Sequence, residues 1–364
     1  MKKKSPLTFL FLFLVAVFSA TAFAAELPTM RYAYTIGSNE TSFIVAITEG
    51  EKYVRDGYSL KTVVPKEKYL FLKEGKPIAQ VDIIIGKGGS DLAILMGQGH
   101  ADFATFSMSA AIAAIDQGIK IKIVSPYVLA TGGLVIQSKI PVHNWDEMVA
   151  YIKKSDRPVK IGYHSPTSAP IIITRGALEL AGLKGTDDPY DTSANILYVD
   201  LKGWPNLHPA MASGQIDMVA GPDPFPQVAE ERGYGRYIVE FRKMPPSGKW
   251  ENYPCCAMIA TDAFINKHPD LVQAMVNFLQ ASGKWCNEHP QEAGKIAGEM
   301  QGISPEASAK LMPTYLNSFT PSWMVGASFY VNSFNKLGYF NGALEGKNFD
   351  DVKTLILDQK FIKE

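Results

Sequence analysis

Two segments 115 positions apart share a pattern that few folds satisfy. MGQGHADF (Met96–Phe103) and MASGQIDM (Met211–Met218) place Met, Gly and Asp at the same spacing, 96/99/102 against 211/214/217. In each, an amphipathic run stops at a glycine, and a strand-like run starts after the aspartate. Glycine just past a helix end adopts left-handed torsions without penalty. Each segment therefore reads as a helix-to-strand junction, and the chain carries two units on one plan. Asp102 and Asp217 are read as turn and cap residues.

The elements around these junctions alternate. In the first unit, MRYAYTIGS is a strand running into a Gly-Ser-Asn-Glu-Thr loop, Phe43 to Val54 has helical spacing, and YSLKTVV is a strand. Tyr69 to Val81, with the turn signal KEGKP, reads as a hairpin-like excursion. DIIIGKGGSDLAILMGQG follows as strand, glycine loop and helix, then HADFATFS, AAIAAIDQG and IKIKIVSPYVL as strand, helix and strand. The second unit runs VKIGYHS, APIIITRGALELAGL, NILYVDL, LHPAMASG, QIDMVAG and FPQVAEERG. Strands alternating with helices at these lengths predict an α/β architecture, each unit a mixed, mainly parallel sheet flanked by helices. Leu129–Ser138, with Gly132-Gly133, and Tyr253–Thr261 read as extended crossings. They assign residues 25–131 plus 255–364 to lobe one and 132–254 to lobe two, with a two-strand hinge able to close on a ligand.

At the N-terminus, Lys2 to Lys4 precede an apolar run from Leu7 to Phe18 and then Ala22-Phe23-Ala24. This is the pattern of a cleaved signal peptide over residues 1–24, and the run is shorter than the roughly 20 residues a membrane span needs. No cysteine precedes Cys255, so no lipid anchor is expected, and the mature chain should be periplasmic and soluble. Losing three lysines leaves 33 basic against 36 acidic side chains, which offers nothing like the basic surface of a nucleic-acid binder. The adjacent Cys255 and Cys256 and the later Cys286 read as buried small side chains, with a bridge to Cys286 left open. The six histidines show no metal-ligand spacing. There is no G-x-S-x-G elbow, Walker lysine or G-x-G-x-x-G loop. No catalytic residue, metal or cofactor is therefore expected.

Ligands of open α/β sheets sit beyond the carboxyl ends of the strands. Here those ends supply the candidate ligand-binding residues Ser38, Asn39, Gly89, Ser90, Thr105, Phe106, Ser107, Thr131, Ser165, Thr167, Ser168, Trp204, Asp223 and Phe225. Helix N-termini with unpaired N–H groups favour an anionic group, and the hydroxyls of Ser165, Thr167 and Ser168 add donors. Ordinary N-capping explains the same hydroxyls. Lys87 and Lys202 are the nearest cations, while Arg175 lies two turns into its helix. The aromatics Phe106, Tyr127, Tyr163, His164, Trp204, Phe225, Trp250 and Tyr253 cluster near the same ends, with core packing the competing role.

With GGS before a helix, A-D-F-A after it and S-x-x-S-A-P before a helix ending A-G-L, the chain resembles the type 2 periplasmic solute-binding proteins. The resembling pieces are 86–105, 162–183, 210–225 and Phe264 to Glu288 with its KHPDLVQAMVNFL, in their nitrate, sulfonate and taurine branch, which includes binders of thiamine-precursor pyrimidines. The resemblance implies a monomeric receptor that captures a small organic or sulfonate-type solute between its lobes and delivers it to an inner-membrane ABC permease. The alternatives on this scaffold are an enzyme like the thiamine-pyrimidine synthases and a sensory binding module.

Overall fold

The structure is a computed structural model that describes residues 26–362 apart from 309 and 312. The expected signal peptide lies outside the described residues. The first sheet contains β1 (Thr29–Tyr34), β2 (Tyr58–Val64), β3 (Lys68–Lys73), β4 (Lys76–Ile85), β5 (Phe103–Ser107) and β6 (Ile121–Leu129). The second contains β7 (Gly133–Gln137), β8 (Val159–Tyr163), β9 (Gly185–Thr186), β10 (Ile196–Asp200), β11 (Met218–Gly221) and β12 (Gly235–Glu240). The chain then returns to the first sheet as β13 (Pro254–Thr261).

The strand orders are β2-β3-β4-β1-β5-β13-β6 and β12-β7-β11-β8-β10-β9. In the second sheet β8, β9, β10 and β11 are mutually parallel, with β7 and β12 antiparallel at one edge. In the first, only β1 pairs in parallel, with β4 and β5, and the remaining pairings are antiparallel. Both sheets are thus mixed, as expected, and the antiparallel pairings of the first come from two strands, β3 and β13, that run against the other five. The reason is local: the expected hairpin adds a β2-β3-β4 meander, and β13 enters the sheet in the opposite sense. The hairpin's second arm and the DIII strand are one continuous β4. Glu74 and Gly75 at its tip both have positive φ, 49° and 74°, the torsions that tight hairpins require.

Helices α1 (Thr41–Glu49), α2 (Gly89–Gly97) and α3 (Met108–Asp116) follow strands of the first sheet, and α4 (Trp145–Lys154) and α5 (Ala169–Leu180) belong to the second. β13 reads PCCAMIAT and is buried along its whole length, as a central strand covered on both faces must be. Behind β1, Tyr32 stacks on Phe43 of α1 at 4.0 Å. Trp250, Tyr253, Phe329 and Tyr330 form an aromatic cluster around the second crossing.

Asp102 and Asp217 prove to be more than turn residues. Asp102 accepts from the Arg31 backbone N–H and guanidinium, and Asp217 accepts from Arg157 through both guanidinium nitrogens and from the Lys160 N–H. The repeated aspartate therefore ties neighbouring strands together at the edge away from the cleft in both lobes. The two crossings bond each other as well, Ala130 N–H donating to Tyr253 C=O at 2.9 Å, and Phe241 N–H, just after β12, donates to Gly132 C=O at 2.9 Å.

Candidate functional site

The sheets present their carboxyl ends to each other, and the loops there meet in direct contact. Ser90, at the start of α2, lies 2.9 Å from the Ser165 hydroxyl and 2.8 Å from that of Thr167, before α5. The Ser109 hydroxyl donates to Thr167 C=O and pairs with Ser107, both at 2.6 Å. Ser168 donates to Ser165 C=O at 2.8 Å and so shapes its own loop. The N-caps of α2, α3 and α5 are Gly88, Ser107 and Ser168, and none makes a side-chain cap bond. Three helix N-termini, with their first-turn N–H groups and partial positive charge, therefore converge on one hydroxyl-lined seam.

A second cluster lies beside the first, at the end of β1. Glu40 is fully buried; its carboxylate accepts from Thr105 Oγ1 at 2.6 Å and from Asn39 Nδ2 at 2.9 Å. Thr105 also bonds the Tyr32 hydroxyl at 2.9 Å. Burial pushes the Glu40 carboxyl well above the usual range, against the opposing bonds from Thr105, Tyr127 and Asn39. Tyr315 holds this loop from below, its hydroxyl accepting from Ser42 N–H at 3.0 Å and donating to Asn39 C=O at 3.2 Å. Gln301 donates to Gly37 C=O at 3.0 Å, and its Oε1 has no partner.

Lobe two closes over that loop. Ser38 N–H donates to Asp223 C=O at 3.3 Å, and the Ser38 and Thr131 hydroxyls are 3.3 Å apart. The buried Asp223 carboxylate accepts from Gln227 Nε2 at 2.9 Å; burial raises its pKa to about 6. Trp204 faces His164 at 5.1 Å, and a Cβ at Gly37 would lie 3.2 Å from the Trp204 ring. His164 is buried with no partner at Nδ1, and burial lowers its pKa to about 4, so the imidazole is neutral at pH 7.

Of the expected residues, Ser38, Asn39, Ser90, Thr105, Ser107, Thr131, Ser165, Thr167, Trp204 and Asp223 come together at this inter-lobe seam. Gly89 serves it through backbone: a Cβ there would lie 3.1 Å from Ala110 and 3.3 Å from Phe106. Phe106 and Phe225 are instead core residues. Phe106 belongs to the main core, and Phe225 stacks on His208 at 4.6 Å within the smaller core of lobe two. Lys87 is exposed, and Lys202 pairs with Asp200 while its side chain stays 79% exposed. Arg175 lies 4.0 Å over the Tyr198 ring and pairs with Asp187. Trp250 and Tyr253 support the hinge.

Sequence reasoning missed Glu40, Ser109, Gln227 and Gln301. The signal for Glu40 was visible as the one acid of the loop after β1, but an acid at a helix start is ordinary dipole complementation. The three cysteines are free and buried, with the Cys255 and Cys256 sulfurs 3.4 Å apart and Asn39 Nδ2 3.5 Å from Cys256. Among the described residues no group of three or more His, Cys, Asp or Glu is placed to hold a metal ion.

The sequence profile of the NMT1-like family matches residues 54–300. An uncharacterised protein of Methanocaldococcus jannaschii is 33% identical over 102 residues, 28% of this chain and 70% of that protein. Among solved structures, the ligand-binding component of an ABC-type import system from Staphylococcus aureus, with zinc bound, superposes with a TM-score of 0.69 at 15% identity. The match covers 93% of this chain and 98% of that one. The alkanesulfonate-binding protein SsuA from Xanthomonas axonopodis pv. citri, bound to MOPS, gives 0.64 at 14% identity over 87% and 96% of the two chains. At these identities the likeness is one of fold: the two-lobed architecture of periplasmic binding proteins.

Proposed function

The chain belongs to the NMT1-like family, and from that premise we propose that it is an extracytoplasmic solute receptor of an ABC importer. It captures a small organic or sulfonate-type solute between its lobes, closes, and presents the closed form to a membrane permease. The observation that carries this reading is the seam itself: Ser90 and Ser109 of one lobe bond Ser165 and Thr167 of the other. Hydroxyls exchange partners at little cost, so an oxyanion entering the seam replaces these bonds and gains three helix N-termini. A ligand that touches both lobes binds the closed form better than the open one, and that difference drives closure. In this reading residues 1–24 are a cleaved export signal, the mature chain starts near Ala25, and the receptor works as a periplasmic monomer without a lipid anchor.

The test is a thermal-shift screen of the mature protein, refolded to strip carried-over ligand, against alkyl and aryl sulfonates, nitrate, carboxylates and pyrimidines. A ligand at 100 times its Kd adds about 2.7 kcal/mol of stability. A hit recovered chemically unchanged supports the receptor. A hit that is turned over supports the enzyme alternative and overturns this one.

A further inference from the structure

We propose that the protein holds a second ligand site, apart from the seam, that takes a small amphipathic monoanion: an apolar chain or ring with one carboxylate or similar acidic head. The site is a cavity of about 430 Å3 between α5 and the helix Pro321–Lys336, a size within the range of small-molecule pockets. Its two walls belong to different lobes. α5 follows β8 of the second sheet, whereas Pro321–Lys336 is fastened to β13 of the first. There the Tyr330 hydroxyl donates to Pro254 C=O at 2.7 Å, and a Cβ at Gly326 would lie 2.2 Å from Pro254 Cδ. The hydroxyls of the seam stand before the first turn of α5. Arg175 and Glu179, which line the cavity, lie about 10 and about 17 Å along the helix axis from Ser168. The walls approach closely at Gly176, where a Cβ would lie 2.9 Å from the Phe329 ring and 3.0 Å from that of Trp250.

The lining has two characters. Ile172, Phe329, Leu180 and Leu337 supply apolar surface, and both leucines stay exposed to solvent. Against them stand three cations, Arg175, Lys249 and Lys336, and one acid, Glu179. Lys336 pairs with Glu179 across the two walls, and Arg175 pairs with Asp187. Lys249 belongs to no ion pair among the described residues. Its Nζ lies 5.6 Å from the centroid of the Trp250 ring, the same ring that Gly176 meets, which sets it beside the Arg175 turn of α5. One unmatched positive charge calls for one negative charge on the ligand. Arg175 contributes donors as well: its guanidinium bonds Asp187 through Nη2, and its buried Nε has no partner. A buried donor left unpaired is costly, and a carboxylate is the group whose geometry a guanidinium fork matches. The apolar body of the ligand then covers the leucines that water now meets.

The experiment is calorimetric titration of the refolded mature protein with octanoate, butanoate, octanol and octylammonium. Octanoate should bind at least about tenfold tighter than octanol or octylammonium, because only its head makes charge-assisted bonds to Lys249 and Arg175. It should also lead butanoate by at least about tenfold, each buried methylene being worth about fourfold. Lys249→Glu reverses the unmatched charge and Ser333→Trp fills the space between the walls. Each should weaken octanoate by at least about tenfold. The wild-type comparison needs no variant, so it decides the matter even if a variant does not fold. Octanol or butanoate binding as tightly as octanoate overturns the inference, as does an octanoate affinity that is unchanged in either variant. Silence from octanoate overturns it too. None of these outcomes touches the receptor reading, which rests on the seam and on the solute screen.

Discussion

Gly132 is where the first crossing enters lobe two, and its replacement by alanine tests how tightly the hinge is packed against the site. Its φ is +87°, and a Cβ there would lie 2.2 Å from Gly221 O, 2.5 Å from Pro222 Cα and 2.7 Å from Asp223 N. All three are backbone atoms of the loop that carries Asp223, so no rotamer change relieves the clash. Left-handed torsions cost an L-residue about 1–2 kcal/mol, and overpacking adds about 1–3 kcal/mol. Gly248 supplies the control. Its φ is +79°, and a Cβ there would meet nothing within 4 Å, so Gly248→Ala carries the torsional cost alone. Urea unfolding followed by circular dichroism should place Gly132→Ala about 1–3 kcal/mol below Gly248→Ala at unchanged slope. Solute affinity should fall in Gly132→Ala only, because relief of the clash moves the Asp223 loop. Equal midpoints for the two variants would refute the packing of this crossing.

Three further outcomes follow from the same geometry. Ser90→Ala removes both Ser90 bonds across the seam, each worth about 1 kcal/mol, and should shift the ligand-free protein toward an open form with a larger radius of gyration in small-angle scattering. Asp217→Asn tests the far-edge tie. Burial opposes ionisation there, but Arg157 and the Lys160 N–H hold the carboxyl below its ordinary range. The wild type should therefore lead by about 1 kcal/mol near neutral pH, the exposed Arg157 discounting the pair, and lose the lead as pH falls through the Asp217 pKa. Asp223, at about 6 in the fold against about 3.9 unfolded, gives the opposite slope. Its contribution is fully present below about pH 4 and lost as pH rises to about 6, up to roughly 3 kcal/mol, so the difference between wild type and Asp223→Asn should follow that window in urea titrations.

The architecture was legible because its signals are local and periodic. Glycine-ended helices at Gly99 and Gly214, the Gly132-Gly133 crossing and the KEGKP turn each require particular torsions, and the structure supplies them. The hydroxyl side of the site was legible for the same reason, since strand-end loops before helices are positions in sequence as well as in space. What was not legible depends on partners far along the chain. Asp102 looked like a turn residue until Arg31, 71 positions away, was seen to grip it. Glu40 gains its meaning only from Thr105 and from the absence of a cation around it among the described residues, and neither is written in the loop. Phe225 sits at a strand end like Trp204, yet the turn after β11 swings it into its own lobe's core, a difference in aim that spacing does not encode.

The position of β13 has a consequence for how this protein is made. It fills the slot between β5 and β6, and it is translated only after all of lobe two. Until residue 261 has emerged, the first sheet is two pieces, β1 to β5 and an isolated β6, each with an exposed edge open to pairing. Lobe two has every strand of its sheet by residue 240 and can condense first. The half that carries Glu40 must wait, and it also needs Tyr315 from still later in the chain to fix its loop. Vectorial synthesis therefore leaves the first sheet incomplete, and the loop that carries Glu40 unsupported, until β13 and Tyr315 have been added.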